Sequence, residues 1–99
     1  MRASEAERAA RELFACRAIH SETVHVREEY GGRVLWEGDV SVVDLEGHPS
    51  APRAYLLRVV RENGDACVYP LLHAGLVTSP ECAVRAAVVH EAAARERLG

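Results

Sequence analysis

The sequence predicts an α+β fold of order α-β-β-β-β-α, a four-stranded antiparallel meander with N- and C-terminal helices packed on one face. Three observations lead there. Two apolar runs, 54–60 and 66–72, flank Asn63-Gly64, a dipeptide that favours tight hairpin turns. A second pair of strand-like segments, within 21–45, bends at Tyr30-Gly31-Gly32. Helix-start chemistry precedes the first of these segments and follows the last. A chain of 99 residues has material for one core, so residues 1–99 are read as one domain.

Ser4-Glu5-Ala6-Glu7 has the spacing of a capping box, in which the Ser4 hydroxyl and the Glu7 carboxylate satisfy each other's amides. The helix that follows puts Ala6, Ala9, Ala10, Leu13, Phe14 and Cys16 on an inner stripe and Glu5, Glu7, Arg8, Arg11 and Glu12 outside. Glu7 with Arg11 and Arg8 with Glu12 sit at ion-pair spacing. The helix is expected to fray over 17–20.

In the 21–45 hairpin, a two-residue Gly-Gly loop would set Arg27 beside Trp36 and Val26 beside Glu37, mixing charge and apolar surface. A three-residue loop with Gly32 in a left-handed bulge shifts the pairing by one. Val24, Val26, Val34, Trp36, Val40 and Val42 then share a buried face, while His25 opposes Glu37 and Glu29 opposes Arg33 in solvent. The segment 46–52, with one glycine and two prolines, is a loop.

A type I′ turn at Asn63-Gly64, with Glu62 facing Asp65, sets the register of the 53–73 hairpin. It pairs Val60 with Cys67, Arg58 with Tyr69, Leu56 with Leu71 and Ala54 with His73 on one face. Val59 with Val68, Leu57 with Pro70 and Tyr55 with Leu72 form the other, which meets the core. Residues 73–79 cross irregularly, and Leu76 and Val77 are expected to tuck under the last helix. Ser79-Pro80-Glu81 starts that helix with a serine cap, a first-turn proline and an acid at the positive dipole end. From 80 to about 97, Ala83, Val84, Ala87, Val88, Ala94 and Leu98 make a main apolar arc, interrupted by Glu91 and Arg95. Cys82, Ala86, Val89 and Ala93 make a second arc. Two arcs suggest two partners: the sheet, and either the first helix or a second copy of the chain.

Composition narrows the function classes. The 12 Lys/Arg positions are all arginine, which removes lysine chemistry such as Schiff bases and phosphate-loop lysines. A formal charge of −3 weighs against nucleic acid as a partner, because polyanion binding draws on basic residues. No apolar run approaches the ~20 residues of a membrane span, and the acidic N-terminus lacks the apolar core of a signal peptide. Three cysteines without close spacing fit free thiols, so a cytoplasmic location is expected.

Candidate chemistry is sparse. Cys16 and His20 would share a helix face, but two ligands are half a zinc site. Cys67 and His73 lie on one strand ~20 Å apart, too far for a dyad. No phosphate loop, metal cluster or nucleophile elbow occurs, so no cofactor is implied and an enzyme reading has no named catalytic residues. The suggestive set is Arg58, Tyr69 and His73 among Leu56 and Leu71, polar groups on apolar surface of the kind interfaces and ligand sites share. His48, between Gly47 and Pro49 in a stiff loop, is a further candidate contact.

The leading expectation is a small interaction domain that forms a homodimer through the 53–73 hairpin. It is motivated by apolar residues on both faces of that hairpin, more than two helices on one side could cover. The alternative is a small-ligand binding protein or enzyme with a site near Arg58, Tyr69 and His73. The element order also resembles that of double-stranded-RNA-binding domains, with one strand more. Such domains place lysines at the start of the last helix. Here that stretch reads Ser79-Pro80-Glu81-Cys82-Ala83-Val84-Arg85, so membership is not claimed and RNA is the least favoured partner.

Overall fold

The computed structural model describes residues 1–60 and 63–98, with the side chains of 91–98 left aside. Element order is α1 (Ala3–Phe14), β1 (Arg17–Tyr30), β2 (Arg33–Glu46), β3 (Arg53–Val60), β4 (Ala66–Leu72) and α2 (Pro80–Leu98). The strands form one antiparallel sheet in the order β1-β2-β3-β4, the expected meander.

The helices lie on opposite faces of this sheet, which corrects the expectation of one shared face. Ala83, Val84 and Ala87 of α2 pack with Val26, Val40, Val42, Tyr55 and Leu57. Ala6 and Ala10 of α1 pack with Ala18, Val43, Leu45, Ala54 and Leu56. Successive strand residues point to opposite faces, so Leu56 and Leu57 must serve different layers. The unbroken burial of 40–43 and 54–57 is the imprint of two-sided covering. It also accounts for the apolar surface on both faces of the 53–73 hairpin, which the second layer absorbs without a partner.

α1 begins one residue before Ser4, with Arg2 at the N-cap and no side-chain cap, so the capping box does not form. Glu7 instead accepts the His20 amide at 2.8 Å, tying α1 to β1, while Arg8 and Glu12 pair as expected. The helix stops at Ala15, a left-handed alanine (φ 52°) whose amide reaches Arg11 O. β1 therefore starts at Arg17, where a fraying helix was expected.

The β1–β2 turn is the two-residue loop that pattern reasoning rejects. Gly31 and Gly32 are both left-handed (φ 60° and 76°), and Tyr30 pairs with Arg33. The apolar alignment is restored by an irregularity one step into β2: Glu29 faces Val34 but Glu28 faces Trp36, which leaves Leu35 as the extra residue. Val24, Val26, Trp36, Val40 and Val42 accordingly join the α2-side core, whereas Val34 is turned out and exposed. His25 opposes Asp39, not Glu37, and Arg33 lies opposite Tyr30, not Glu29. A second irregularity, at Ser21, puts Ala18 under α1 and Val24 under α2. Gly38 leaves room for the Trp36 ring, whose edge lies 3.0 Å from where a Cβ would stand.

The β3–β4 register is also displaced by one residue from expectation. Val59 pairs with Cys67, Leu57 with Tyr69, Tyr55 with Leu71 and Leu56 with Pro70. Val60 pairs with Ala66, a register centred on residue 63 that a two-residue turn at 63–64 cannot give. Gly64 is left-handed (φ 89°), and Asn63 Oδ1 accepts the Asp65 amide at 3.0 Å. The proposed pairing of Glu62 with Asp65 lies outside the described residues. A one-residue slip exchanges the faces of every β4 side chain, so Tyr69 and Leu71 join Tyr55 and Leu57 beneath α2.

Candidate functional site

The slip divides the expected contact set between two layers. Arg58 and Leu56 belong to the α1 side of β3, with Leu56 in the core and Arg58 exposed. Arg58 lines a small cleft of about 260 Å³ with Met1, Glu5, Ala9, Ala66, Cys67 and Val68. Tyr69 and Leu71 lie on the α2 side, and His73 follows β4 with its Nδ1 hydrogen-bonded to the Tyr55 hydroxyl at 2.7 Å. His48 is a turn-former: its Nδ1 accepts the Ser50 and Ala51 amides, each at 3.1 Å, and its ring meets Phe14 edge-on.

The other histidine and cysteine combinations do not assemble. Cys16 lies past the end of α1, and His20 is in β1 with its Nε2 2.9 Å from Thr23 Oγ1. His25 is held across the strands by Asp39 on Nδ1 and Glu37 on Nε2, each at 3.0 Å, in solvent. Those contacts raise its pKa, the Glu37 hydrogen bond first and the Asp39 bond next. Among the described residues no group of three or more His, Cys, Asp or Glu could hold a metal ion. The three cysteines are free thiols.

An exposed apolar feature is built by the crossing and α2. Ala74 and Val77 pair across a turn with Gly75 left-handed (φ 60°), and this projects Leu76 outward. Val77 packs on the core, as expected, but Leu76 is 94% exposed, which corrects its expected place under the helix. Ser79 then caps α2: its hydroxyl accepts the Cys82 amide at 3.1 Å, and its carbonyl accepts that of Ala83. Two turns beyond Cys82, Val89 is 63% exposed. Leu76, Val77, Cys82, Arg85, Ala86, Val89 and His90 line a groove of about 600 Å³.

Polar groups at the groove are few and mostly engaged. Arg85 reaches Glu28 of β1 at 3.3 Å, and His90 Nδ1 meets the Tyr69 hydroxyl at 2.5 Å, linking α2 to β4. The Cys82 thiol is pulled below its ordinary pKa, first by the Ser79 side chain and then by the Thr78 main chain. Beneath it, burial raises the Tyr55 phenol pKa, against the pull of Arg53. Chemically this is a hydrophobic strip with a hydrogen-bonded margin, suited to docking apolar surface. The sequence names Val89, Ala86 and Cys82 as a second arc but gives no sign of Leu76 or His90, because both depend on how the crossing and α2 seat on the sheet.

No family model matches this sequence, and no curated protein or solved structure matches it either.

Proposed function

We propose that this protein is a small interaction domain that self-associates as a homodimer through the outer side of α2 and the 73–79 crossing. The 53–73 hairpin contributes by leading into that crossing and by anchoring α2 through Tyr69 and His90. One observation carries the reading. Leu76 and Val89 stand exposed at a groove that nothing in the described chain covers, and α1, the other available cover, lies on the far face of the sheet.

The sheet edges are less suited: β4 carries Pro70, which lacks a ladder donor, and β1 is rich in charge. Three free thiols fit a reducing compartment, and we read the location as cytoplasmic. No described helix is long and apolar enough to cross a membrane.

Light scattering across a concentration series tests the reading. The native chain should give twice the monomer mass, and Leu76→Glu with Val89→Glu should return it to monomer without lowering its melting temperature at high dilution. A native chain that stays monomeric at high micromolar concentration removes the proposal.

A second reading, a small-ligand site, draws on the groove volume, which lies in the ~300–1,000 Å³ range of ligand pockets. Its polar residues would be Cys82, Arg85 and His90, the last bonded to Tyr69, while Arg58 and His73 are not among the groove's lining residues. A thermal-shift screen with no stabilising compound would end it. RNA binding has the least support, since exposed Glu81 and paired Arg85 occupy the first turns of α2.

A further inference from the structure

The geometry points to a separate site, on the α1 side of the sheet, that takes a small zwitterion of the α-amino-acid class. It is the cleft of about 260 Å³ between α1 and the end of the β3–β4 hairpin, with Glu5 and Ala9 on one wall and Arg58, Ala66 and Val68 on the other. The site stands independently of self-association, since α1 and α2 cover opposite faces of the sheet.

The cleft follows from where α1 stops covering β3. Arg58 pairs with Val68 across the β3–β4 ladder, so the two side chains share the α1 face. Two residues earlier on that face, Leu56 is fully buried in the α1-side core. At the level of Arg58 the helix presents Glu5 and Ala9, one turn apart, and both Arg58 and Glu5 are exposed. Met1, Ala9 and Val68, partly buried against the same core, supply an apolar lining.

The charges select the ligand. Arg8, Arg53 and Arg85 are each answered by an acid of the chain, namely Glu12, Asp44 and Glu28. Among the described residues neither Arg58 nor Glu5 has an ion-pair partner, and although they line one cleft they do not pair with each other. Opposite charges set apart over an apolar lining match a molecule that carries a carboxylate and an ammonium group. The planar Arg58 guanidinium takes the carboxylate through two parallel hydrogen bonds, and Glu5 accepts from the ammonium. A phosphate or dicarboxylate would meet Glu5 as a like charge. The cleft is smaller than the ~300–1,000 Å³ of drug-sized pockets, so the body of the ligand is short, and its walls favour an apolar side chain.

The test follows amide chemical shifts of the full isotope-labelled chain while amino acids are added one at a time, with acetate and methylamine as half-ligands. Valine or leucine should give saturable shifts at Ala9, Ala66 and Val68, and should bind more tightly than glycine or aspartate. Arg58→Gln and Glu5→Gln should each weaken that binding about tenfold or more, the loss of one charge-assisted contact. Acetate and methylamine should each bind more weakly than valine by a similar factor. No saturable shift with any standard amino acid up to ~10 mM, well above a ~1 mM dissociation constant, overturns the site. Acetate binding as tightly as valine, or Glu5→Gln binding valine unchanged, overturns the zwitterion assignment. Shifts confined to Leu76 and Val89 place the ligand in the α2 groove and overturn the inference as well. If either variant fails to fold, the half-ligand comparison on the native chain decides alone. Light scattering on the same samples keeps the result separate from self-association, which this site neither requires nor opposes.

Discussion

α1 and α2 cover the two faces of one sheet with the same kind of inner surface, alanines that allow close approach, yet they leave different things outside. On α1 the outer residues are Glu5, Arg8, Arg11 and Glu12, and the exposed Leu13 is the exception. On α2 the groove side carries Cys82, Ala86 and Val89, with Leu76 at its head. A surface helix with one apolar stripe is satisfied by one neighbour, and α1 has that neighbour in the sheet. α2 has apolar residues around more of its circumference, and among the described residues the sheet takes Ala83, Val84, Ala87 and Val88. The contrast lies in which helix keeps apolar residues exposed on its outer side.

The largest expected effect tests whether the layers are really two. Leu56 and Leu57 are adjacent, 0% and 1% exposed, and packed against α1's and α2's residues respectively. Leu56→Ala and Leu57→Ala should each cost about 2–5 kcal/mol. In a domain of this size that lowers the melting temperature by roughly 4–8 °C for each kcal/mol. If both helices shared one face, one of the two leucines would look into solvent and its removal would be nearly neutral. Denaturant titration of both variants decides between these pictures.

This pair also shows how far the sequence could be read. Element types and order followed from turn and cap chemistry, as did the serine cap at Ser79 and the α2-side set of Val24, Val26, Trp36, Val40 and Val42. The layer count did not follow. An apolar run such as Tyr55-Leu56-Leu57 is equally compatible with a core strand between two layers and with one carrying surplus surface, and only the position of α1 distinguishes them. Register failed for a related reason. Asn63-Gly64 has the composition of a two-residue turn, but pairing of Leu57 with Tyr69 brings both beneath α2, and packing outweighs local turn preference. The candidate site inherited that error: Arg58 was placed with Tyr69 by a slip of one residue. His90, which does meet Tyr69, is 21 positions away and carries no local signal.

Tyr55→Phe sharpens the comparison from the α2 side. The Tyr55 ring is core, and its hydroxyl is bonded to His73, which fixes the chain where β4 gives way to the crossing. Loss of that bond should cost roughly 0.5–1.5 kcal/mol. Because the crossing carries Leu76, the variant should also weaken dimerisation, seen as a rise in the dissociation constant by light scattering. An unchanged dimer would mean that the crossing is held by other contacts.

On the α1 side the corresponding weak point is Ala15, held left-handed where glycine is the usual helix terminator. An L-residue with a Cβ in this conformation costs about 1–2 kcal/mol, part of which glycine gives back through its freer unfolded chain. Ala15→Gly should therefore stabilise the domain by somewhat under ~1 kcal/mol. Association should not change, since α1 faces away from the groove. A parallel rise in dimer affinity would contradict the separation of the two sides.

The smallest effect concerns the part of the α1-side face that α1 does not reach, where His25 lies between Glu37 and Asp39 in open solvent. The bonds to the two carboxylates raise the His25 pKa above its ordinary 6.5, and the bond to His25 lowers that of Glu37 below its ordinary 4.5. A raised histidine contributes stability that is complete below the unfolded value and fades as pH climbs through the folded one. A lowered carboxylate contributes stability that is complete above its unfolded value and fades as pH falls through the folded one. The cluster is therefore fully formed between about pH 4.5 and 6.5 and relaxes on either side. Exposed pairs of this kind are weak, so global stability is the wrong readout. NMR titration of the His25 ring should instead give a midpoint above 6.5 that moves down in Glu37→Gln, whose amide no longer offers a charged acceptor. The same titration should be indifferent to Val89→Glu, because His25 and the groove lie on opposite faces of the sheet. A midpoint that responds to Val89→Glu would mean that the two faces communicate through the sheet, which the separate packing of the two layers does not require.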